Sequence, residues 1–134
     1  MRTIAIVGAG QAGLLLGFGL LAKGCAVTLV AERSADEGSH ASFLVRKKTF
    51  AYYLDNHHGD GIVAACFKVA LGGNADLVAS DPARFYLPAY IGPRGWVALR
   101  LDVGDIDWEE VAGLAADSFR LAAPKKLAAQ ISRV

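Results

Sequence analysis

The chain is poor in the residue types that mark several specialised classes of protein. Its 134 residues include two cysteines and four prolines. Two isolated cysteines, Cys25 and Cys66, exclude a disulfide framework and favour reduced thiols in a cytoplasmic protein. A chain that is 54% apolar with so little proline is neither a Pro-rich linker nor a disordered tail. The composition therefore predicts a compact fold with its own core.

An excess of charge of one sign is also lacking. Lys and Arg number 14 against 13 Asp and Glu, for a formal net charge of +1. This balance gives no overall attraction to nucleic acid or to acidic membranes, so any such role must come from local clusters. The only long apolar stretch, near the N-terminus, is interrupted by the glycines from Gly8 to Gly13. We therefore expect no membrane-spanning segment and no membrane partner.

The first informative motif in the chain is the stretch VGAGQAG, Val7 to Gly13. The β-branched run Thr3 to Val7 predicts a buried strand, and Gln11 to Lys23 predicts a helix that Gly24 ends. Val27 to Val30 predicts a second strand that ends at Glu32. The first 36 residues therefore predict a short Rossmann-like β-α-β leader.

The glycines of this leader have the spacing of a dinucleotide-binding turn. Gly8 permits the tight turn, Gly10 allows close approach of a pyrophosphate, and Gly13 allows the helix to pack on the strand. Glu32 lies where a carboxylate bonds ribose hydroxyls. Residues 1–33 resemble the FAD-binding start of flavoprotein monooxygenases, most closely the styrene monooxygenase branch. The resemblance implies FAD or NAD(P) binding through Gly8, Gly10, Gly13 and Glu32.

A second interpretation of the leader is structural. The flavin ring and substrate pocket of those enzymes come from several hundred further residues, which this chain lacks after Arg33. The helix Gln11 to Lys23 is apolar on nearly all sides, so it could instead cover a sheet. In that case no cofactor is expected, and exposed apolar surface would favour homo-oligomers.

The pattern changes after the polar stretch RSADEGSHAS, Arg33 to Ser42. We place a domain boundary there, with the leader at 1–36 and an α+β domain at 37–134. Strands are predicted at Phe43–Val45, Thr49–Leu54, Ile62–Val69, Phe85–Leu87 and Trp96–Leu101, and a short helix at Asn74–Ser80. The strand Trp96–Leu101 is predicted to be half-exposed, with Val97, Leu99 and Leu101 on its buried face.

The last helix has the clearest start and end signals. Asp107 is predicted to cap it, with Glu110 reaching back as the capping-box partner. One apolar stripe comprises Trp108, Val111, Ala112, Ala115 and Phe119, and Pro124 ends the helix.

Three stretches of this domain, in order along the chain, resemble the MmcQ/YjbR family of small bacterial proteins. They are EGSHASFLVRKKTFAYYLDNHHGDG, DPARFYLPAYIGPRGWVALRLD and DWEEVAGLAADSFRLAAPKKLAA, within residues 37–129. The resemblance implies a double-wing, frataxin-like α+β fold with an antiparallel sheet and packed helices. Lys47 stands at a hairpin position where the family tends to carry glycine, which puts the geometry of that turn in question.

Family members are commonly described as DNA-binding, so the resemblance implies a non-enzymatic protein that binds DNA weakly or serves as an interaction module. The residues that would contact phosphates are Arg46, Lys47, Lys48, Arg94, Arg120, Lys125 and Lys126. Tyr52, Tyr53, Tyr86, Tyr90 and Trp96 are candidate groups for stacking on bases. The alternatives are an ordinary solvated surface and a fragment of an FAD- or NAD(P)-linked oxidoreductase.

No residue pattern nominates a catalytic or metal site. His40, His57, His58 and Cys66 lack the spacing of zinc ligands, so we interpret the adjacent histidines as part of a turn. No Ser, His and Asp set lies on a recognisable nucleophile elbow. Glu109 and Glu110 fall in the first turn of the last helix, where acidic residues interact favourably with the helix dipole.

Overall fold

The computed structural model describes residues 28–34 and 38–129, with side chains described from His40 to Ala129. Three predicted features lie outside the described residues, namely the first strand, the apolar helix and the three glycines: Thr3–Val7, Gln11–Lys23, Gly8, Gly10 and Gly13. Glu32 lies on a described strand, but its side chain is outside the described part.

A six-stranded sheet forms the centre of the fold. Its strands are β1 (Thr28–Ser34), β2 (Gly38–Val45), β3 (Lys48–Asp55), β4 (Val63–Lys68), β5 (Phe85–Tyr86) and β6 (Trp96–Arg100). The spatial order is β1-β2-β3-β4-β6-β5, and every neighbouring pair is antiparallel. The helices are α1 (Gly73–Ser80), α2 (Trp108–Ala122) and the single turn α3 (Lys125–Ala128). The predicted α+β class with an antiparallel sheet is confirmed.

Strand β1 lies at the edge of this sheet, although the sequence pattern assigned it to the leader. It runs antiparallel to β2, from Thr28 opposite Leu44 to Ser34 opposite Gly38. In a Rossmann-like unit the second strand would lie parallel to its partners. Among the described residues β1 has only the antiparallel neighbour, so the Rossmann-like environment is not confirmed for this strand. The division of the chain at 36/37 remains a prediction.

Successive side chains along each strand point to opposite faces of the sheet. Helix α2 covers one of these faces, which we call the first face. The core on this face includes Phe43, Phe67 and Val97 from the strands and Phe119 from α2, each no more than 1% exposed. The second face carries Cys66, Trp96 and Ala98. Strand β6 is therefore buried on both faces, and the prediction that it is half-exposed is wrong.

The start of α2 matches one prediction and contradicts another. The Asp107 carboxylate accepts hydrogen bonds from the backbone N–H groups of Glu109 and Glu110, so it caps the helix as predicted. Glu110 does not complete a capping box: its carboxylate accepts two bonds from the guanidinium of Arg84, at 2.6 and 3.3 Å. The helix ends at Ala122, just before Pro124. No helix in the described part of the chain has the length and hydropathy to span a membrane.

The predicted basic hairpin is present and joins β2 to β3 through two residues, Arg46 and Lys47. Both have positive φ, 50° and 67°, which is the backbone conformation of a type I′ turn. This geometry explains why a glycine suits the second position, because a Cβ is unfavourable there. The sheet register also shifts between Phe43 and Leu44, which leaves Phe50 as the bulge residue of β3.

Replacing this turn should stabilise the protein. Arg46→Asn/Lys47→Gly installs the sequence that type I′ turns prefer, and we expect the free energy of unfolding to rise by about 1 kcal/mol. Equilibrium urea unfolding measures the change. A decrease in stability would show that the turn in solution is not of this type.

Candidate nucleic-acid interface

Several connections meet at one end of the sheet, which we call the hairpin end. It comprises the Arg46–Lys47 turn, the last residue of β4 and the first residue of β6. Lys68 pairs with Trp96 across β4 and β6, and the Val69 N–H donates to the Gly95 carbonyl at 3.0 Å. These connections place the loop that carries Arg94 beside the end of β4.

The C-terminal part of α2 reaches the same end of the sheet. The Ser118 hydroxyl donates to the backbone carbonyl of Phe50 and accepts from the N–H of Lys68. The ring of Phe119 lies edge-on to that of Phe50, with 5.3 Å between the ring centroids. Arg120 therefore lies at this end of the sheet, and Lys125 and Lys126 follow it in α3.

The hairpin end gathers most of the basic side chains that the structure describes. It carries all seven residues predicted to contact phosphates and one that the sequence analysis missed, Lys68: Arg46, Lys47, Lys48, Lys68, Arg94, Arg120, Lys125 and Lys126. Among the described residues only Arg120 of this set forms an ion pair, with Asp117 at 2.7 Å. Among the residues with described side chains, Asp76 in the first turn of α1 is the other acidic residue of this end. The local charge is therefore strongly positive although the whole chain is nearly neutral.

The opposite end of the sheet has the reverse charge. Its acidic residues with described side chains are Asp55, Asp60, Asp81, Asp102, Asp105, Asp107, Glu109 and Glu110. Two arginines with described side chains lie among them, and both are paired: Arg84 with Asp81 and Glu110, and Arg100 with Asp102 at 2.9 Å. The hydrogen bond from Arg100 is the main cause that lowers the pKa of the Asp102 carboxyl. The two ends of the sheet are thus oppositely charged.

The aromatic residues do not form the predicted stacking surface at the hairpin end. Trp96 is 6% exposed, and its ring packs against Tyr52 with 5.1 Å between centroids. Tyr53 lies against the core on the first face, and Tyr86 and Tyr90 line a pocket on the second. Among the described residues these five aromatic rings therefore do not form one surface with the cations of the hairpin end.

The same pocket brings together residues that are distant in the sequence. His40, His57, His58 and Cys66 all line it, although their spacing does not suggest a shared site. In the described part of the chain no group of three His, Cys, Asp or Glu side chains has the arrangement of a metal site. Burial raises the pKa of the Cys66 thiol to about 12, so this thiol is neutral and weakly nucleophilic at physiological pH.

Comparison with known proteins identifies the fold and the family. One solved structure, a Deinococcus radiodurans protein described as DR2400 with a DUF419 domain, is 19% identical and superposes with a TM-score of 0.51. The alignment covers 69% of this chain and 67% of that one. No curated protein sequence matches the chain.

The family model named YjbR matches residues 26–121, so the match includes β1 and extends almost to the end of α2. The segment before residue 26 lies outside the match, and neither comparison supports its resemblance to flavoprotein monooxygenases. The binding of FAD or NAD(P) by Gly8, Gly10, Gly13 and Glu32 remains a prediction. Since the match covers most of the sequence, the chain belongs to the YjbR family.

Proposed function

We propose that this protein binds the phosphate backbone of double-stranded nucleic acid through the hairpin end. The observation that carries the proposal is the separation of charge between the two ends of the sheet. Lysines and arginines that neutralise phosphates release counterions from the nucleic acid, which supplies the free energy of sequence-independent binding. A protein of near-zero net charge can do this only if its cations are concentrated on one surface.

The arrangement of the cations favours contacts to phosphates over the reading of bases. Arg46 and Lys47 project from a tight turn, and Lys125 and Lys126 from the first turn of α3, and all four are exposed. These elements come from the sheet and from the helical layer, so they lie on both sides of the hairpin end. We therefore expect affinity to depend strongly on salt and only weakly on sequence.

A fluorescence anisotropy titration with a labelled DNA duplex of about two helical turns tests the proposal. The double variant Arg46→Asn/Lys47→Gly removes two cations and keeps the turn, so a loss of binding would not reflect misfolding. We expect its affinity to fall about tenfold at 0.1 M salt, and the slope of log K against log salt to decrease in magnitude by about 1.8. Lys125→Gln/Lys126→Gln should have a similar effect.

The matched control lowers the net charge equally at the opposite end. Ala79→Glu/Ala83→Glu places two carboxylates on exposed positions beside the acidic residues. This variant should bind DNA with nearly the affinity and salt slope of the parent protein. If the control weakened DNA binding as much as the hairpin variant does, net charge alone would govern binding. The proposal would be refuted if the parent protein bound DNA undetectably or with an affinity independent of salt.

A further inference from the structure

The second face of the sheet is covered differently from the first. Here Cys66, Trp96 and Ala98 are buried beneath Tyr52, Tyr86 and Ile91, without a described helix over them. The covering segments among the described residues are the single 3₁₀ turn at His57–Gly59 and the loop from Pro88 to Ile91.

A pocket of about 460 Å³ lies between these two segments. This volume falls within the range of pockets that hold small organic ligands. The floor is formed by Cys66 and the side chains of Tyr52 and Leu54, and the two walls by the covering segments. Its lining residues are His40, Tyr52, Leu54, His57, His58, Asp60, Cys66, Tyr86, Pro88, Ala89, Tyr90 and Ile91.

The charge of this lining limits what the pocket can hold. Among the described residues that line it, none is a lysine or an arginine, and Asp60 is the one acidic residue. Burial is the main cause that raises the pKa of Tyr86 to about 12, so its hydroxyl stays neutral and can form hydrogen bonds. Aromatic ring faces attract cations, and three tyrosines contribute to this lining. A cation would therefore meet one carboxylate and three tyrosine rings among the described lining residues.

The covering segments hold unusual backbone conformations. His58 and Tyr90, one on each wall, have positive φ values of 55° and 66°. For a bulky residue such as tyrosine this conformation is unfavourable, and strained residues of this kind concentrate at functional sites. The Tyr90 side chain is 89% exposed at the rim of the pocket. The Ile91 N–H donates to the Ala89 carbonyl at 2.8 Å across this residue, so a local turn holds the strained backbone and presents the ring at the rim.

We propose that this pocket binds a small, mainly apolar organic cation, with an aromatic or aliphatic body on the Cys66 floor and an ammonium group near Asp60. The tyrosine rings and the Leu54 side chain contact the body of the ligand. Asp60 supplies the charge that distinguishes an amine from an alcohol or an acid of the same shape. The proposal stands on the residues of this pocket and does not depend on nucleic-acid binding.

Three probes with a common phenyl-ethyl or phenyl-methyl body test the charge preference: 2-phenylethylamine, 2-phenylethanol and phenylacetate. Titrations of the full chain, followed by ¹H–¹⁵N NMR at pH 8, give affinities and locate the perturbed amides. Among the described lining residues Asp60 is the one acidic residue, and no lysine or arginine accompanies it. We expect shifts at residues of both walls, with the amine bound about three- to tenfold more tightly than the alcohol and phenylacetate bound most weakly.

Asp60→Asn tests the contribution of charge to ligand binding, and Tyr90→Asn tests the contribution of the aromatic rim. The Asp60 carboxylate also accepts a hydrogen bond from the Ile62 N–H at 2.9 Å, which an asparagine oxygen can replace. Asp60→Asn should therefore abolish the preference for the amine and leave the affinity for the alcohol unchanged. Asp105→Asn, an exposed carboxylate of the same end that does not line the pocket, is its control.

Tyr90→Asn tests the rim. Asparagine tolerates positive φ, and the exposed ring leaves no hole in the core, so the variant should fold normally. We expect at least threefold weaker binding of both the amine and the alcohol, whereas Leu71→Asn, which removes an equally exposed side chain elsewhere, should have no effect. The proposal is refuted if neither the amine nor the alcohol shifts the amide resonances of the two walls. It is also refuted if phenylacetate binds more tightly than the amine, or if Asp60→Asn still binds the amine in preference to the alcohol.

Discussion

Replacing Ser118 with alanine is expected to lower the free energy of unfolding by about 2–4 kcal/mol. The Ser118 side chain is fully buried, and its hydroxyl makes two hydrogen bonds to the backbone of the sheet. It donates to the carbonyl of Phe50 and accepts from the N–H of Lys68 at 3.0 Å. Alanine removes the donor and the acceptor together. Each buried backbone group left without a partner costs about 1–3 kcal/mol.

Urea unfolding of Ser118→Ala and of Ser80→Ala provides the comparison. The Ser80 hydroxyl also donates to a backbone carbonyl, that of Leu77, but at an exposed position of α1 where water can replace it. We expect a change below about 0.5 kcal/mol for this control. If Ser118→Ala were no more destabilising than Ser80→Ala, the buried bonds would not contribute to holding α2 on the sheet.

The role of Ser118 shows what a local sequence pattern cannot contain. Its two partners lie 68 and 50 positions away along the chain. A serine in the middle of a helix is therefore indistinguishable in the sequence from one that faces water. The pairing of Arg84 with Glu110 is missed for the same reason, and Glu110 was assigned to the capping box because that motif needs only neighbouring residues.

Features fixed by neighbouring residues were predictable. The Asp107 cap, the end of α2 before Pro124 and the basic turn between β2 and β3 each depend on a few adjacent positions. Strand β1 shows the limit of such patterns. Its apolar residues predict a strand correctly, but they do not show whether the partner is parallel or antiparallel, so the strand was assigned to a Rossmann-like unit.

The hairpin end was likewise predictable only where it depends on residues that are neighbours in the sequence. Each basic residue of the hairpin end except Lys68 was named from the sequence, because pairs and triplets such as Arg46-Lys47-Lys48 are visible there. Their convergence depends on the strand order, in which β6 lies beside β4 and brings Arg94 next to Lys68. The pocket could not be predicted, because His40 and Tyr90 reach it from segments fifty positions apart in the sequence.

The buried thiol of Cys66 should make the protein sensitive to alkaline pH. Its side chain has no exposed area, and burial raises the thiol pKa from 9.0 to about 12. Between these values the unfolded chain loses the proton while the native state keeps it. The stabilisation from this group is therefore complete below pH 9 and is lost as pH rises towards 12. The loss is about 1.4 kcal/mol per pH unit, or up to about 4 kcal/mol in all.

Urea unfolding at pH 8, 9, 10 and 11 measures this loss, with Cys25→Ala as the background so that Cys66 is the only thiol. In that background Cys66→Ala should be less stable at pH 8, because it leaves a small cavity, but its stability should fall less steeply between pH 9 and 10. Tyr86, whose pKa is raised from 10.0 to about 12 by burial first and by Cys66 second, adds its own loss mainly above pH 10, so the comparison is made below that pH. Parallel curves for the two proteins between pH 9 and 10 would contradict the assignment to Cys66. Convergence of the two curves would identify the thiol on the pocket floor as the source of alkaline instability.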